Sequence, residues 1–128
     1  TFDKAVQAKI ATRMAAICEG IAASYDVSVD LKYEYGYPPT VNDAAKALIA
    51  AEVAKTVVGE TQVDANTKPI FPAEDFAYML EERPGAYLFL GQGEGGAPVH
   101  HPDYDFNDDI APIGASFFAK LVETVQPR

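Results

Sequence analysis

The sequence has little of what would make a covalently stapled or thiol-based protein. It contains one cysteine and no tryptophan in 128 residues. Cys18 cannot form an internal disulfide. It lies among helix-spaced apolar residues, where a thiol behaves as a small buried hydrophobe, and Arg13 is the one local base that could activate it. A disulfide scaffold is therefore excluded, and a reactive thiol is disfavoured.

Basic residues are also scarce, with ten Lys and Arg against nineteen Asp and Glu, for a formal charge of −9. Such a surface repels phosphate backbones and anionic lipids, so neither nucleic acid nor a membrane is an expected partner. No apolar run is long enough to span a membrane, and no signal peptide is visible, so we expect a cytoplasmic location. The chain begins with Thr1 directly before a helical pattern, which suggests a cut inside a longer protein.

What is present is clear apolar periodicity. Val6, Ile10, Met14, Ile17 and Ile21 recur at steps of three and four, as in an amphipathic helix. Other segments repeat this spacing, and two show the alternation or the short apolar run that is typical of strands. We predict helices over residues 3–24, 42–58, 74–82 and 109–125, and strands over residues 27–35 and 86–90.

A pair of prolines interrupts the pattern after the first predicted strand. Pro38 and Pro39 follow Gly36 and lack backbone donors, so we interpret this segment as a domain hinge. Thr40 or Asn42 is expected to cap the next helix. A strand needs neighbouring strands, yet only one predicted strand lies on each side of the hinge. The sequence therefore predicts parts of sheets that an absent segment or a partner chain completes.

A glycine-rich segment superficially resembles a nucleotide-binding loop. Gly91, Gly93 and Gly96 have the G-x-G-x-x-G spacing and follow a predicted strand. The dinucleotide fingerprint also requires a helix that opens at the third glycine, and here Pro98 follows instead. Glu94 would place a negative charge beside a phosphate. We predict a flexible loop.

Two short polar segments could carry chemistry. His100 and His101 are suitable ligands for a divalent ion, but adjacent histidines on extended backbone point in opposite directions. Spacing alone leaves open a metal site and a polar loop that ends in a helix cap. Glu74 and Asp75 open a short helix, where the dipole alone favours acids; the alternative is a loop that lines a substrate pocket.

Four motifs follow one another along the chain: GYPPTVND at 36–43, EDFAYML at 74–80, PGAY at 84–87 and HHPDYDFND at 100–108. In order and spacing they resemble the C-terminal third of the metal-dependent amidohydrolase peptidases, which include hippurate hydrolase, N-acyl-amino-acid amidohydrolases and auxin-conjugate hydrolases. The resemblance covers essentially the whole chain. One departure is Phe71–Pro72–Ala73, where the family commonly has Met-Gly-Ser.

The resemblance implies an α/β fold, here a fragment of a two-domain, zinc-peptidase-like structure. Residues 1–36 would be the last helix and strand of an α+β satellite domain used for dimerisation, and residues 37–128 the C-terminal part of the catalytic domain. It also implies two divalent ions (Zn, Mn, Co or Ni) in the intact enzyme. His100 would supply one metal ligand, and Glu74 and Asp75 would shape the substrate pocket. The other ligands and the general base lie upstream in the family.

The predicted function is therefore part of an amidohydrolase that cleaves N-acyl amino acids or small peptides with metal-activated water. The chain alone is expected to hold no catalytic residue, to bind no metal by itself and to be inactive. Its expected partners are the substrate and either the missing N-terminal portion or a second copy of the chain. The alternative is a non-enzymatic α/β dimerisation or binding module that retains the scaffold.

Overall fold

A computed structural model describes residues 1–126 of the chain. Within this range it contains four α-helices, with short 3-10 turns at Glu60–Gln62 and Asp108–Ile110. The four predicted helices are confirmed, with ends shifted by one or two residues. They are α1 at Lys4–Tyr25, α2 at Ala44–Val58, α3 at Phe76–Glu82 and α4 at Ala111–Val125.

The two predicted strands are wrong for the described part of the chain. Residues 27–35 and 86–90 form no ladder there. Alternating apolar and polar residues are compatible with a strand in a sheet. A ladder also needs a second segment to supply hydrogen-bond donors and acceptors. The run at 86–90 is not buried on both faces either, since Leu88, Phe89 and Leu90 are 45%, 65% and 46% exposed.

Aspartate side chains cap the first two helices, α1 and α2. Asp3 Oδ1 accepts hydrogen bonds from the amides of Ala5 and Val6, at 2.7 and 3.0 Å, and so caps α1. Asp43 Oδ1 accepts from the Lys46 amide at 2.9 Å and caps α2, so the expected cap at Thr40 or Asn42 is wrong. Asp43 is at the right place because its side chain reaches the amide three residues ahead.

Backbone contacts divide the described chain into two compact units. The first contains residues 1–41 and 69–83, and the second contains residues 42–68 and everything described from residue 84 onward. In the first unit, the Phe2 and Phe71 rings stack with centroids 4.4 Å apart, and Lys4 forms an ion pair with Glu81. These contacts fasten the start of α1 to the segment around α3.

The second unit is built on the packing of α2 against α4. A hydrogen-bonded clamp lies beside it. Asn42 Nδ2 donates to the Tyr87 carbonyl at 2.9 Å, and Asn42 Oδ1 accepts from the Tyr87 amide at 2.7 Å. The Asp43 amide also donates to the Gly85 carbonyl at 2.9 Å. One side chain therefore satisfies both backbone groups of Tyr87, as a neighbouring strand would.

The described chain buries little apolar surface. Its accessible area is 10428 Å², whereas a folded monomer of this mass exposes about 6,600 Å². The apolar stripe of α1 lies outward, with Val6, Ile10 and Ile17 at 46%, 42% and 61% exposure. No described helix is long and apolar enough to cross a membrane. The buried hydrophobic residues are Ala50, Ala51, Val53 and Ala77.

The Asn42 clamp gives a testable prediction. Asn42→Ala removes both side-chain bonds to Tyr87, and one such bond contributes about 1 kcal/mol, or about fivefold in an equilibrium. We expect the Tyr87 amide to exchange with solvent at least about fivefold faster, as measured by hydrogen–deuterium exchange. Asn66→Ala is the control, because the Asn66 side chain has no hydrogen bond among the described residues. Unchanged exchange at Tyr87 would contradict the clamp.

Candidate functional site

The two histidines lie on a pair of consecutive turns. The His101 amide donates to the Pro98 carbonyl at 3.0 Å, and the Tyr104 amide donates to the His101 carbonyl at 3.0 Å. His100 is exposed and occupies the third position of the first turn with a φ of 70°. This left-handed conformation costs a residue with a Cβ about 1–2 kcal/mol. The turn therefore holds His100 at its apex in a conformation that most residues avoid.

His101 is arranged differently from its neighbour. Its Nδ1 accepts a hydrogen bond from the Asp103 amide at 3.1 Å. The Asp103 carboxylate lies 3.7 Å from the same nitrogen, which is too long for a hydrogen bond. With Nδ1 as the acceptor, the neutral ring carries its proton on Nε2. In this tautomer the one ring lone pair of His101 is engaged by the Asp103 amide, whereas no such hydrogen bond is seen for His100 among the described residues.

The described residues do not form a complete metal centre. Among residues 1–126, no three His, Cys, Asp or Glu side chains come together in a way that could hold an ion. A catalytic divalent ion takes about three protein ligands, and His100 supplies one. The described residues therefore supply at most part of the two-ion site that the resemblance implies.

Glu74 and Asp75 lie side by side at the start of α3, in the first compact unit, whereas His100 belongs to the second. The half-buried Glu74 accepts a 3.4 Å hydrogen bond from the Phe76 amide through Oε1. Asp75 is exposed, and its side chain makes no capping bond. The backbone carbonyls of both residues accept from α3 amides instead, at 3.2 and 3.0 Å.

The glycine-rich segment does not open a helix. Gly93 and Gly95 have φ values of 95° and 97°, and the next helical element in the described chain is the 3-10 turn at Asp108. A dinucleotide site needs helix amides at the end of such a loop. The sequence-based rejection of nucleotide binding here is therefore supported by the local structure.

Sequence reasoning missed a set of contacts that joins this segment to the histidine turns. Tyr104 donates from its hydroxyl to Gln92 Oε1 at 3.3 Å, and Asn107 Nδ2 donates to the Gln92 carbonyl at 2.9 Å. Asn107 Oδ1 also accepts from the Asp109 amide at 3.0 Å and so caps the 3-10 turn at Asp108–Ile110, which leads into α4. The one signal for these contacts in the sequence is Gln92, a side chain with hydrogen-bonding groups that lies between two glycines.

An apolar groove of about 380 Å³ lies in the second unit, lined by Leu48, Ile49, Glu52, Val53, Thr56 and Thr124. Its one acidic group is engaged, because Glu52 accepts a 2.7 Å hydrogen bond from Lys55. This hydrogen bond and the Glu52 charge raise the pKa of Lys55 above its ordinary value. Lys55 therefore stays protonated at neutral pH and is excluded as a proton acceptor.

Comparison with known proteins gives one consistent result. The model of peptidase family M20/M25/M40 matches residues 3–124. Hippurate hydrolase of Campylobacter jejuni is 35% identical over 105 residues, which is 82% of this chain and 27% of the relative. N-acetyl-L-cysteine deacetylase of Bacillus subtilis is 35% identical over 118 residues, 92% of this chain and 27% of the relative.

Thermostable carboxypeptidase 1 of Saccharolobus solfataricus is 30% identical over 126 residues, 94% of this chain and 31% of the relative. The chain thus spans less than a third of each of these three proteins. No solved structure matches it.

The two histidines should respond in opposite ways to the same substitutions. At position 100, glycine tolerates the left-handed backbone and should keep the turn, whereas His100→Val should open it, at a cost of about 1–2 kcal/mol. His101 does not have a positive φ. There His101→Val should be tolerated better than His101→Gly, which adds backbone entropy to the unfolded chain. The measurement is the three-bond amide–Hα coupling at residue 100, together with exchange of the residue 101 amide. The same ranking at both positions would contradict the assigned turn.

Proposed function

Because the chain belongs to peptidase family M20/M25/M40, we propose that it is part of a hydrolase that cleaves N-acyl amino acids or small peptides. The observation that carries the proposal is the match over residues 3–124, nearly the whole chain. The names of the relatives indicate the substrate class, since they describe hydrolysis of hippurate, of N-acetylcysteine and of peptides. Family membership also supports a peptidase-like α/β fold.

The proposed organisation follows the hinge. Residues 1–36 belong to the end of a satellite domain, and residues 37–128 belong to the end of a catalytic domain. Support comes from the helix α1, the alternating segment that follows it, and the proline pair at 38–39. Tyr33 and Tyr35, two residues apart, bring their rings to 4.9 Å, which is compatible with both side chains lying on one side of an extended segment.

His100 is the proposed metal ligand of this chain. Peptidases of this family generally depend on divalent metal, and such an ion supplies polarisation of the amide carbonyl and an activated water. The exposed position of His100 at a turn apex supports the role, and the Nδ1 of its neighbour His101 is already engaged by the Asp103 amide. Zn, Mn, Co and Ni are the candidate ions. The remaining ligands and the general base would come from residues outside this chain.

Glu74 and Asp75 are the proposed substrate-pocket residues. Asp75 is exposed at the start of α3, and a carboxylate there could accept a hydrogen bond from an amide N–H of a peptide-like substrate. The preceding Phe71–Pro72–Ala73 lacks the hydroxyl, and at Pro72 the amide, that the family loop commonly presents. The difference favours weaker polar contacts on this side of the substrate.

A second candidate function is a non-enzymatic dimerisation or binding module. The altered loop at Phe71–Pro72–Ala73 is the observation that favours it. It differs from the hydrolase in one decisive respect, because it requires no metal ligands in the rest of the protein.

Hydrolysis separates these two functions. With added Mn²⁺ or Zn²⁺, the intact protein that contains this chain should cleave at least one of hippurate, N-acetylcysteine and a short peptide. His100→Ala should lower kcat/KM by at least about a hundredfold, as loss of a metal ligand does, whereas His101→Ala should lower it only a few-fold. The 128-residue chain alone should be inactive. Folded intact protein that binds no divalent metal and cleaves none of the three substrates would favour the binding module.

Association of the isolated chain provides an independent test. Apolar surface left in water forfeits about 25 cal/mol per Å², so even a few hundred Å² weighs heavily against a total stability of about 5–15 kcal/mol. We expect the 128-residue chain to pair with a second copy, or with the missing N-terminal portion supplied as a second chain. Light scattering and sedimentation should give masses above that of one chain. A compact monomer with residues 27–35 and 86–90 in ladders would show that the chain is a complete fold.

A further inference from the structure

We infer that Gln92 is a positioning residue for His100 and acts through Tyr104. This rests on the proposed function of His100. The supporting feature is a pair of hydrogen bonds, here called the tether, that joins two segments. The Oε1 of Gln92 accepts from the Tyr104 hydroxyl, and the backbone carbonyl of Gln92 accepts from Asn107 Nδ2. The two donors lie 12 and 15 residues further along the chain. Gln92 therefore joins the glycine-rich segment to both ends of the stretch 104–107.

Burial shows that this tether is the main anchor of the histidine turns. Between residues 98 and 109, Tyr104 and Asn107 are half-buried and every other residue is exposed. Gln92 is likewise half-buried between exposed neighbours. An exposed loop without such anchors samples many conformations, and ordering each residue costs about 1–2 kcal/mol of backbone entropy. The tether thus fixes Tyr104 and Asn107, the half-buried residues of this stretch, and through Tyr104 it limits how the turns can be oriented.

Tyr104 transmits this constraint to His100. Its side chain is held by Gln92, while its amide closes the second turn on the His101 carbonyl. The His101 amide in turn closes the first turn, in which His100 has its left-handed backbone. A shift of Tyr104 therefore moves His101, whose carbonyl is the acceptor in the second turn and whose amide is the donor in the first. The direction of the His100 imidazole depends on both.

Asn107 fixes the other side of the tether to a helix. Its Oδ1 accepts from the Asp109 amide in the 3-10 turn that leads into α4. On the glycine side, a Cβ at Gly96 would lie 3.3 Å from Gln92 Nε2, so the glycine allows the loop to pass close to the glutamine side chain. Gln92 therefore lies close to its own loop at Gly96 and is tied through Asn107 to the turn that precedes α4.

The experiment uses the intact protein and removes the hydrogen bond between Tyr104 and Gln92 by changing either of its two partners. Gln92→Leu removes the side-chain acceptor but keeps the backbone carbonyl that Asn107 uses, and Tyr104→Phe removes only the hydroxyl. Each should change the His100 imidazole ¹H–¹³C shifts and its amide–Hα coupling, and lower kcat about fivefold with KM unchanged. The double variant should equal the single ones, because both remove the same bond. Gln92→Glu, which keeps an acceptor oxygen, should restore the His100 signals.

Gln62→Leu and Tyr25→Phe are the matched controls, since neither side chain makes a hydrogen bond among the described residues, and both should leave His100 unchanged. The inference would be overturned if the His100 chemical shifts in Gln92→Leu and Tyr104→Phe equalled those of the wild type. Fully additive effects in the double variant would overturn it too. His100→Ala in the same assay separates the two proposals. Unchanged hydrolysis there would defeat the metal-ligand role of His100, whereas the imidazole shifts test Gln92 even when no substrate is cleaved.

Discussion

Hydrogen bonds between backbone groups and the side chains of aspartate and asparagine are the interaction on which the described structure depends. Asp3 and Asp43 cap α1 and α2, and Asn107 caps the turn that leads into α4. Asn42 satisfies both backbone groups of Tyr87. These side chains are short, so they lose little entropy on binding a nearby amide and act without a large core. Because only four residues of the described chain are buried hydrophobics, such bonds fix helix starts and turns without support from a large core.

The histidine region follows the same logic. Its turns are held by backbone bonds and by contacts to Gln92, and none of residues 98–109 is fully buried. The left-handed conformation of His100 is consistent with this, because strain in a surface turn persists only where neighbouring bonds fix the chain.

How much could be predicted from the sequence depended on the range of the interaction. Periodicity located all four helices, because contacts within a helix join residues three and four apart. The strands failed because a ladder depends on a second segment, and neither 27–35 nor 86–90 has one in the described chain. The link from Gln92 to Tyr104 and Asn107 was missed for a related reason. Hydrogen bonds between residues 12 or 15 apart leave no periodic signal in the sequence. A histidine at position 100 also gives no indication of a positive φ.

The orientation of α1 extends this argument to association. Its least exposed residues are Gln7, Ala11, Ala15, Cys18 and Ala22, and not the larger apolar residues that define its stripe. Periodicity identifies an apolar face, but the partner decides which face is covered. The small face suits close approach of the chain's own segments, whereas the outward stripe of Val6, Ile10 and Ile21 loses the free energy of burial until another surface meets it. That pattern is what a helix shows when its larger partner surface belongs to another segment or another chain, as in the proposed satellite domain.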